Sequence, residues 1–529
     1  MIFLAAIYIT AFFCIGGFHE FAACLISVAL LVYLGLKKNL TLKLNWVTGA
    51  LAGTTLFYGI STLWAVDPGM AFLGFMKFLP VPLFAFCLQQ EPEAKAKLQA
   101  LLPYLAAAAT VISSVGSLFT DFFTVDGRLA GFFQYPNAFA LVLLAAELLL
   151  LGKDKLKFYD LICLAILVFG IFYTGSRTVF VLAAVANLIF LFLGKNKKIK
   201  LAAVCGIGVL AFVLFGFGGV FGRFSTISFS SSTFLGRFLY FFDALPEILT
   251  HPFGLGYMGY YYTQQAFQSG IYSVAFVHND FLQLMLDVGW LPALAILAAI
   301  ILSFKKLSPQ HRVLLGVMVL HFCFDFDLQF IAIWMVLLLF LDTEGGKELR
   351  LKKQPVACGA ATLVCLYFGI ALSLAQCGLR EAAQALYPWN TRNETALLAE
   401  TEDPETAEHI LARNDSVTLA QSVLARTAYS KGDFGKVIQY KNALFEKAPF
   451  QYAEYEEYCY MLINGIALYN REGDSYSAGI CAKELIATRE KVRAQADRLS
   501  ALGKRISDQP VMELPAEIEN YIAKLEAAE

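Results

Sequence analysis

Charged residues are scarce in this sequence. They make up 16% of the 529 residues, while hydrophobic residues make up 58%. A soluble globular protein carries about 25% charged residues, so this composition argues against a soluble protein and favours one that lies in lipid. The formal net charge of −1 leaves no excess of basic residues to attract nucleic acid. We therefore predict a membrane protein without a nucleic-acid partner.

Paired cysteines are also lacking. The 11 cysteines include no CxxC motif, and most lie inside apolar runs. This distribution argues against a disulfide framework or a metal site and predicts that the thiols pack as small hydrophobic groups. Cys459 and Cys481 lie in a polar C-terminal segment, and the sequence leaves open whether they pair. We predict neither a metal nor another cofactor.

The sequence contains instead a series of long apolar runs. A helix needs roughly 20 apolar residues to cross a bilayer, and the candidate runs are 1–18, 20–36, 46–64, 70–88, 99–118, 136–152, 158–174, 178–194, 201–221, 281–304, 312–325, 328–341 and 355–375. We predict an all-α polytopic protein with about 12–13 transmembrane helices. The first run lacks a basic leader and a clear cleavage site, so we expect it to be retained as a span. The pair at 312–341 is either two tilted spans or a re-entrant hairpin.

Basic residues indicate the orientation of these spans. They are concentrated in alternate loops, which the positive-inside rule assigns to the cytoplasm: 37–43, 95–97, 153–157, 195–200, 305–312 and 347–353. The remaining loops hold only Arg128, Arg177, Arg223 and Arg237. The sequence thus predicts a multi-pass protein of the cell membrane, with a large external loop at 222–280 and an extracytoplasmic segment after 376.

The four arginines on the cation-depleted side need a physical explanation. Arg223 is best interpreted as an interfacial residue that reaches the lipid headgroups. Arg177 lies in a very tight turn between two spans, where its side chain has little freedom. We expect Arg237 to begin a surface helix that residues 230–233 cap and Pro246 kinks or shortens. These arginines lie on the predicted outer rim of the membrane domain. Guanidinium groups held rigidly there suit a phosphate or diphosphate attached to a lipid tail.

The stretch HNDFLQLMLDVGW, which begins at His278, places polar residues where an apolar run begins. If 278–304 is helical, His278 shares a face with Gly289, which would allow a neighbouring helix to pack closely. The imidazole is a candidate proton acceptor, and a helix-capping or backbone-bonded histidine is an equal alternative. Asn279 and Asp280 are expected either to cap the helix or to orient His278.

Five further ionisable residues have open interpretations. His251 lies in a turn and is expected to be structural. Asp325 and Asp327 either pair with an arginine of the rim or form a wet hairpin tip. Lys77 and Asp287 lie inside apolar runs, where each needs a partner that the sequence does not identify.

Four motifs on the predicted external side follow one another along the chain: GRLAGFFQYPNAFA at 127–140, GSRTVFV at 175–181, GRFLYFFDALPEILTHPFGLGYMGY at 236–260 and HNDFLQLMLDVGW at 278–290. Together they resemble the motifs of the O-antigen ligase and polymerase superfamily. The members of that superfamily are membrane glycan transferases with a GT-C-like architecture. The resemblance covers roughly residues 1–345. One departure is Val181, where the family often has leucine, and it affects only the expected local packing.

The resemblance implies transfer of a glycan from a polyprenyl-diphosphate carrier to an acceptor hydroxyl outside the cytoplasmic membrane. It assigns Arg177 and Arg237 to the departing diphosphate and His278 to the acceptor as general base. It further implies an inverting, metal-independent reaction. The candidate substrate-binding residues are Arg128, Asn137, Asn279 and Asp280. The acceptor, which is a glycan, a lipid or a protein, stays open.

The composition changes from about residue 376, where Ala, Glu, Lys and Leu recur at helical spacing. TAYSKGDFGKVIQYKNALFEKAPF at 427–450 resembles one tetratricopeptide repeat. Further helices are expected at 396–412, 452–469, 476–507 and 515–527. The predicted domains are therefore 1–345, a last span at 355–375, and an external helical domain at 376–529. That domain is either a cap or a module that binds an acceptor, a protein partner or the growing glycan.

Two activities within this family fit the sequence about equally. We favour a ligase over a polymerase because a helical tail can present an acceptor other than another repeat unit. A transporter of solutes or lipid-linked glycans is the rival from a different class. Its usual internal repeats are not visible here, and the polar groups gather at one predicted face.

Overall fold

The computed structural model describes residues 1–38, 40–193, 232–351, 354–506 and 512–527. The all-α prediction is confirmed, because these residues form helices joined by short connections and two small antiparallel strand pairs. The predicted span at 201–221, Arg223 and the basic loop at 195–200 lie outside the described residues.

The N-terminal helices follow the predicted apolar runs closely. They are α1 (Ile2–Phe13), α2 (Glu20–Gly35), α3 (Trp46–Ile60), α4 (Pro68–Phe78), α5 (Pro80–Leu88), α6 (Ala94–Gly116), α7 (Pro136–Leu151), α8 (Phe158–Thr174) and α9 (Arg177–Leu193). Strands β1 (Thr41–Leu44), β2 (Thr124–Val125) and β3 (Arg128–Leu129) lie between them. Pro68, Pro80 and Pro136 each occupy the first position of a helix, where the missing N–H has no cost.

After residue 231 the described helices are α10 (Ser232–Thr250), α11 (Gly259–Phe267), α12 (Asp280–Val288), α13 (Trp290–Phe304), α14 (Pro309–Phe322), α15 (Ile331–Leu338) and α16 (Gln354–Gln376), with strand β4 (Lys347–Arg350) before α16. The tail contains α17 (Arg380–Leu386), α18 (Thr391–Thr401), α19 (Pro404–Leu411), α20 (Thr418–Ser430), α21 (Phe434–Lys447), α22 (Tyr452–Glu472), α23 (Ser475–Arg498) and α24 (Ala516–Glu526).

Several of these helices are suited to a bilayer. Among the described residues, Pro68–Leu88 (α4 and α5 together), α6 and α16 are long and apolar enough to cross a membrane. Shorter apolar helices of 10–17 residues accompany them, including α7, α8 and α13. The protein is therefore a membrane protein. Helix α15 has only eight residues, or about 12 Å, and is too short to cross about 30 Å of hydrocarbon alone.

Residues 278–304 do not form one helix, which was the condition for His278 and Gly289 to share a face. The chain forms two helices, α12 and α13, separated by Gly289. Gly289 has φ 84° and ψ −177°, a region that is essentially restricted to glycine. A Cβ there would lie 2.3 Å from the carbonyl oxygen of Pro252. The glycine thus accommodates the 251–254 turn rather than a neighbouring helix, and His278, which precedes α12, shares no helical face with it.

Loops with predicted cytoplasmic positions meet at one end of the helices. β1 pairs with β4 in an antiparallel register that joins 41–44 to 347–350. Gln89 Nε2 donates to the carbonyl oxygens of Lys43, at 3.0 Å, and Thr343, at 2.6 Å. Lys306 contacts Asp342 at 2.5 Å. Four connections of the same predicted side are thereby held together.

The tail packs on the opposite set of connections. Asn414 donates to Asp67 at 3.1 Å, and the Tyr387 hydroxyl donates to the Gly69 carbonyl at 2.9 Å. Arg392 forms an ion pair with Glu20 at 3.0 Å. The main apolar core continues from α1 into α20, as far as Leu424, and a second core fills the rest of the tail.

Within the tail, the helix expected at 396–412 is divided. Pro404 begins α19, and Asp403 caps it by accepting from the Thr406 N–H at 2.8 Å. The pair α20 and α21 surrounds the turn at Gly432, where the sequence resembles a tetratricopeptide repeat, and that assignment stays a prediction. Cys459 and Cys481 are buried free thiols in the described structure.

Candidate active site

One buried carboxylate connects three of the seven predicted site residues. Asp325 lies in the connection between α14 and α15, and its side chain is 1% exposed. Its Oδ1 accepts from the Tyr135 hydroxyl at 2.6 Å and lies 3.3 Å from His278 Nδ1. Its Oδ2 accepts from Asn137 Nδ2 at 2.8 Å and from Arg237 Nη2 at 3.1 Å. We refer to these five residues as the Asp325 cluster.

The cluster settles one open interpretation of the sequence. Asp325 pairs with an arginine and is not a wet hairpin tip. Burial raises the pKa of the Asp325 carboxyl, but the charge of Arg237 and the hydrogen bond from His278 outweigh this and hold the pKa well below its usual range. Asp325 is therefore ionised at neutral pH and supplies a fixed negative charge.

Arg237 reaches the cluster from the second turn of α10. That helix begins at Ser232, earlier than predicted, and continues through Pro246 to Thr250. The Arg237 side chain is 11% exposed. Its Nη2 binds Asp325, whereas its Nε is buried without a hydrogen-bond partner among the described residues. A buried N–H without an acceptor is costly, so this donor is well suited to a ligand.

His278 is held in an unusual backbone conformation. Its φ is 55°, in the left-handed region that residues other than glycine adopt rarely. The ring packs edge-on against Phe326, with centroids 5.0 Å apart, and lies 5.9 Å from the Tyr240 ring. Nδ1 faces Asp325 while the side chain is 20% exposed. With Nδ1 as donor to the carboxylate, Nε2 of the neutral ring is a proton acceptor.

Asn279 and Asp280 fix the position of His278. Asn279 caps α12 by accepting from the N–H groups of residues 281 and 282, both at 3.1 Å, and it donates to the Cys323 carbonyl at 3.0 Å. Asp280 is buried and accepts from the Leu328 N–H at 3.0 Å. These bonds attach both residues to the connection that carries Asp325. Their predicted contact with substrate stays a prediction.

Arg128 joins the cluster through Asn137. Its Nη2 donates to Asn137 Oδ1 at 2.7 Å, and its Nε donates to the Thr174 carbonyl at 2.8 Å. Thr174 ends α8, Gly175 turns the chain with φ 58°, and Arg177 begins α9. Three residues span at most about 11 Å, which bounds the distance between the Cα atoms of Thr174 and Arg177. The half-buried Arg177 therefore lies near Arg128, and it forms no part of the Asp325 cluster.

The remaining flagged residues lie elsewhere. His251 is exposed, and its Nδ1 is 3.1 Å from both Thr250 Oγ1 and the Glu247 carbonyl, as a structural turn residue would be. Lys77 donates to Tyr257 at 3.0 Å. Asp287 accepts from Tyr58 at 3.0 Å and from Gln283 at 2.8 Å. Asp327 pairs with His321 at 2.5 Å.

Residues 162–298 match the family model described as Wzy_C, O-antigen ligase. The chain contains an O-antigen ligase domain. It is thus a membrane protein of the glycan ligase and polymerase type. No curated protein matches the chain. The matched segment includes Arg177, Arg237 and His278, whereas Arg128, Asn137 and Asp325 lie outside it.

Residues from both sides of the match therefore contact residues within it. Tyr135, which the sequence analysis did not single out, immediately precedes Pro136 in the first of the four motifs. For Asp325 the sequence left two alternatives open, pairing with an arginine of the rim or a wet hairpin tip, and did not identify which arginine. The signal for both was weak, because neither an aromatic residue beside a proline nor an isolated carboxylate identifies its partner.

Proposed function

We propose that the protein is a glycan ligase that transfers a saccharide from a polyprenyl diphosphate to an acceptor hydroxyl at the outer face of the cell membrane. One observation carries the proposal: Arg237 and His278 bind the two oxygens of the same buried carboxylate. A group suited to a phosphate and a group suited to a hydroxyl proton are thus held side by side. Such an arrangement is what glycosyl transfer from a diphosphate requires.

In the proposed reaction, the acceptor oxygen attacks the anomeric carbon of the donor. A carbon–oxygen bond to the acceptor forms, and the bond between the anomeric carbon and the diphosphate oxygen breaks with both electrons leaving on the diphosphate. His278 Nε2 takes the hydroxyl proton. The negative charge of Asp325 stabilises the imidazolium that results and keeps Nδ1 protonated.

The developing charge on the diphosphate needs cations. Arg237 offers its unpartnered Nε, Arg177 begins α9, and Arg128 of β3 binds the Thr174 carbonyl at the α8–α9 turn. Asp325 pairs with Arg237. Guanidinium forks match phosphate oxygens, and their attraction is stronger in a partly dry site than in water. By resemblance to the family, the proposed reaction is inverting and uses no metal.

The outer-face assignment is supported by how the connections group. The basic loops that pack together at β1 and β4 share a predicted cytoplasmic side. The Asp325 cluster joins connections of the opposite predicted side, and the tail binds Glu20, Asp67 and Ser269, which all belong to that side as well. If the predicted number of spans before either group were wrong by an odd number, connections that pack together here would have been assigned to opposite sides of the membrane.

We favour a ligase over a polymerase because the tail covers the segment that leads to His278. Ser500 donates to the Ser269 carbonyl at 2.9 Å, and the neighbouring Asp243 of α10 accepts from Ser269 Oγ at 2.6 Å. A folded surface beside the base can select an acceptor that differs from the donor repeat. Polymerase activity remains the second candidate, and a transporter would leave the pairing of Asp325 with His278 without a role.

The first test removes the proposed diphosphate ligands. Arg237→Ala and Arg177→Ala are each expected to lower transfer from a purified polyprenyl-diphosphate glycan by about 100- to 1000-fold, the usual loss when one stabilising donor is removed. Initial rates with the purified full-length protein provide the measurement. Arg471→Ala, an exposed arginine in the tail, is the matched control. Parental rates in both site variants would refute the proposed role of the arginines.

The second test concerns orientation. In a cysteine-free background, Tyr476→Cys in the tail should react with a membrane-impermeant maleimide on intact spheroplasts, because Tyr476 is 81% exposed. Glu348→Cys, on the exposed strand β4, should react only after the membrane is permeabilised. The reverse pattern of labelling would place the Asp325 cluster in the cytoplasm and overturn the outer-face assignment.

A further inference from the structure

A cavity separates the loop before α12 from the first helices of the tail. Its volume is about 360 Å³. Tyr261, Tyr262 and Ser273 line it from one side, and Thr395 and Thr418 line it from the tail. It is distinct from the Asp325 cluster, none of whose five residues lines it. The cavity is large enough to hold a small organic group, since ligand pockets usually begin near 300 Å³.

The lining is polar and aromatic but has almost no charge. Among the described residues that line the cavity there is no Asp, Glu or Lys, and the one cation, Arg392, is already paired with Glu20 at 3.0 Å. The remaining polar groups are amides and hydroxyls. A lining of uncharged hydrogen-bonding groups disfavours a free anion or cation as the ligand. It suits a ligand rich in neutral hydroxyl groups.

Two hydroxyls in this lining lack protein partners. Tyr262 is 9% exposed, and its Oη is buried without a hydrogen-bond partner in the described structure. Thr395 Oγ1, across the cavity, is in the same state. Buried polar atoms are normally satisfied, so two orphans that line one cavity point to a hydrogen-bonding ligand. Tyr261, which is 41% exposed, adds an accessible ring face for stacking.

The cavity walls are fixed to each other. Gln451 Nε2 donates to Gln265 Oε1 at 2.8 Å on the loop side and lies 3.3 Å from Thr418 Oγ1 on the tail side. Gln264 of α11 accepts from the Val274 N–H and donates to the Val274 carbonyl. Residue 274 lies four residues before His278, so the two Cα atoms are at most about 14 Å apart.

We propose that this cavity binds an uncharged saccharide of the acceptor, and so selects which molecule presents its hydroxyl to His278. The inference rests on the proposed transferase function. It assigns the sugar to the acceptor because the cavity wall is continuous with the His278 segment, whereas the arginines for the donor diphosphate lie on β3, α9 and α10. The tail thereby becomes half of a substrate site.

Binding is tested without turnover. The probe is fluorescently labelled, deacylated envelope glycan from the cells that make the protein, and its binding to purified full-length protein is followed by anisotropy. Tyr261→Ala and Ala399→Trp, which fills the cavity from α18, should each weaken binding about tenfold or more. Tyr476→Ala is the matched control and should bind as the parent does. His278→Ala should also bind normally.

Equal binding by the parent, Tyr261→Ala and Ala399→Trp would overturn the cavity assignment, as would no binding by the parent. In the transfer assay, both cavity variants should raise the acceptor KM with little change in the donor KM. A rise in the donor KM alone would instead overturn the assignment to the acceptor. If the parent binds the probe through this cavity but transfers nothing, the transferase proposal fails and the saccharide site stands.

Discussion

Replacing His278 by alanine is expected to reduce glycan transfer by about 100- to 10,000-fold, the usual contribution of a general base. The fold should persist, because the His278 side chain is partly exposed and the bonds of Asn279 and Asp280 hold the segment independently. The donor KM should change little, since the imidazole acts on the acceptor. Initial rates at saturating donor, with the purified protein, give the measurement.

Two variants separate the imidazole from its backbone. His278→Asn also removes the ring, but asparagine accepts a φ of 55° more readily than alanine does. Activity that returns in His278→Asn would show that His278 serves only the turn. His251→Ala removes an exposed imidazole bonded only within its own turn and should transfer at the parental rate. Unchanged turnover in His278→Ala would remove this residue from the mechanism.

The resemblance to the family's motifs was sufficient to select Arg128, Asn137, Arg237 and His278. The structure joins the last three through one carboxylate and Arg128 to Asn137. The resemblance was insufficient to select the carboxylate itself. Asp325 lies 88 residues from Arg237 and 47 from His278 along the chain. Local periodicity contains no information on such contacts. Only the charge of Asp325 beside an apolar run showed that it needed a partner.

Periodicity also misjudged the backbone around His278. An apolar run of constant spacing looks the same whether one helix or two occupy it, so the break at Gly289 was not visible. The tail shows the same limit. Its helical pattern correctly indicated buried faces, but not that α18 would pack against α4 and that apolar residues of α18–α20 would join the main core. Which helix a buried face packs against is determined by the tertiary structure, and helical spacing in the sequence does not encode it.

Asp325→Asn should have the second-largest effect. The variant keeps the volume of the side chain but removes the charge that faces Arg237 and His278. Breaking a buried ion pair in this way typically costs about 3–5 kcal/mol, so thermal unfolding of the detergent-purified protein should shift to clearly lower temperature. Transfer should fall by about 100-fold or more, since His278 loses the group that orients it and stabilises its protonated form.

The stability difference between parent and Asp325→Asn should also depend on pH. The folded pKa of Asp325 lies below the unfolded carboxyl value of about 3.9. A group with a lowered folded pKa stabilises the fold above the unfolded value and loses that contribution as the pH falls. The difference in melting temperature should therefore shrink as the pH falls below about 4, where the unfolded carboxyl becomes protonated.

Asp342→Asn provides the matched control for this prediction. Asp342 also pairs with a cation, Lys306, but its side chain is 29% exposed and lies at the opposite end of the helices. An exposed pair contributes at most about 1 kcal/mol, so this variant should melt and transfer almost as the parent does. If Asp325→Asn did the same, Arg237 and His278 would not depend on their shared carboxylate. The charge that holds a phosphate ligand beside a proton acceptor would then have to come from another group.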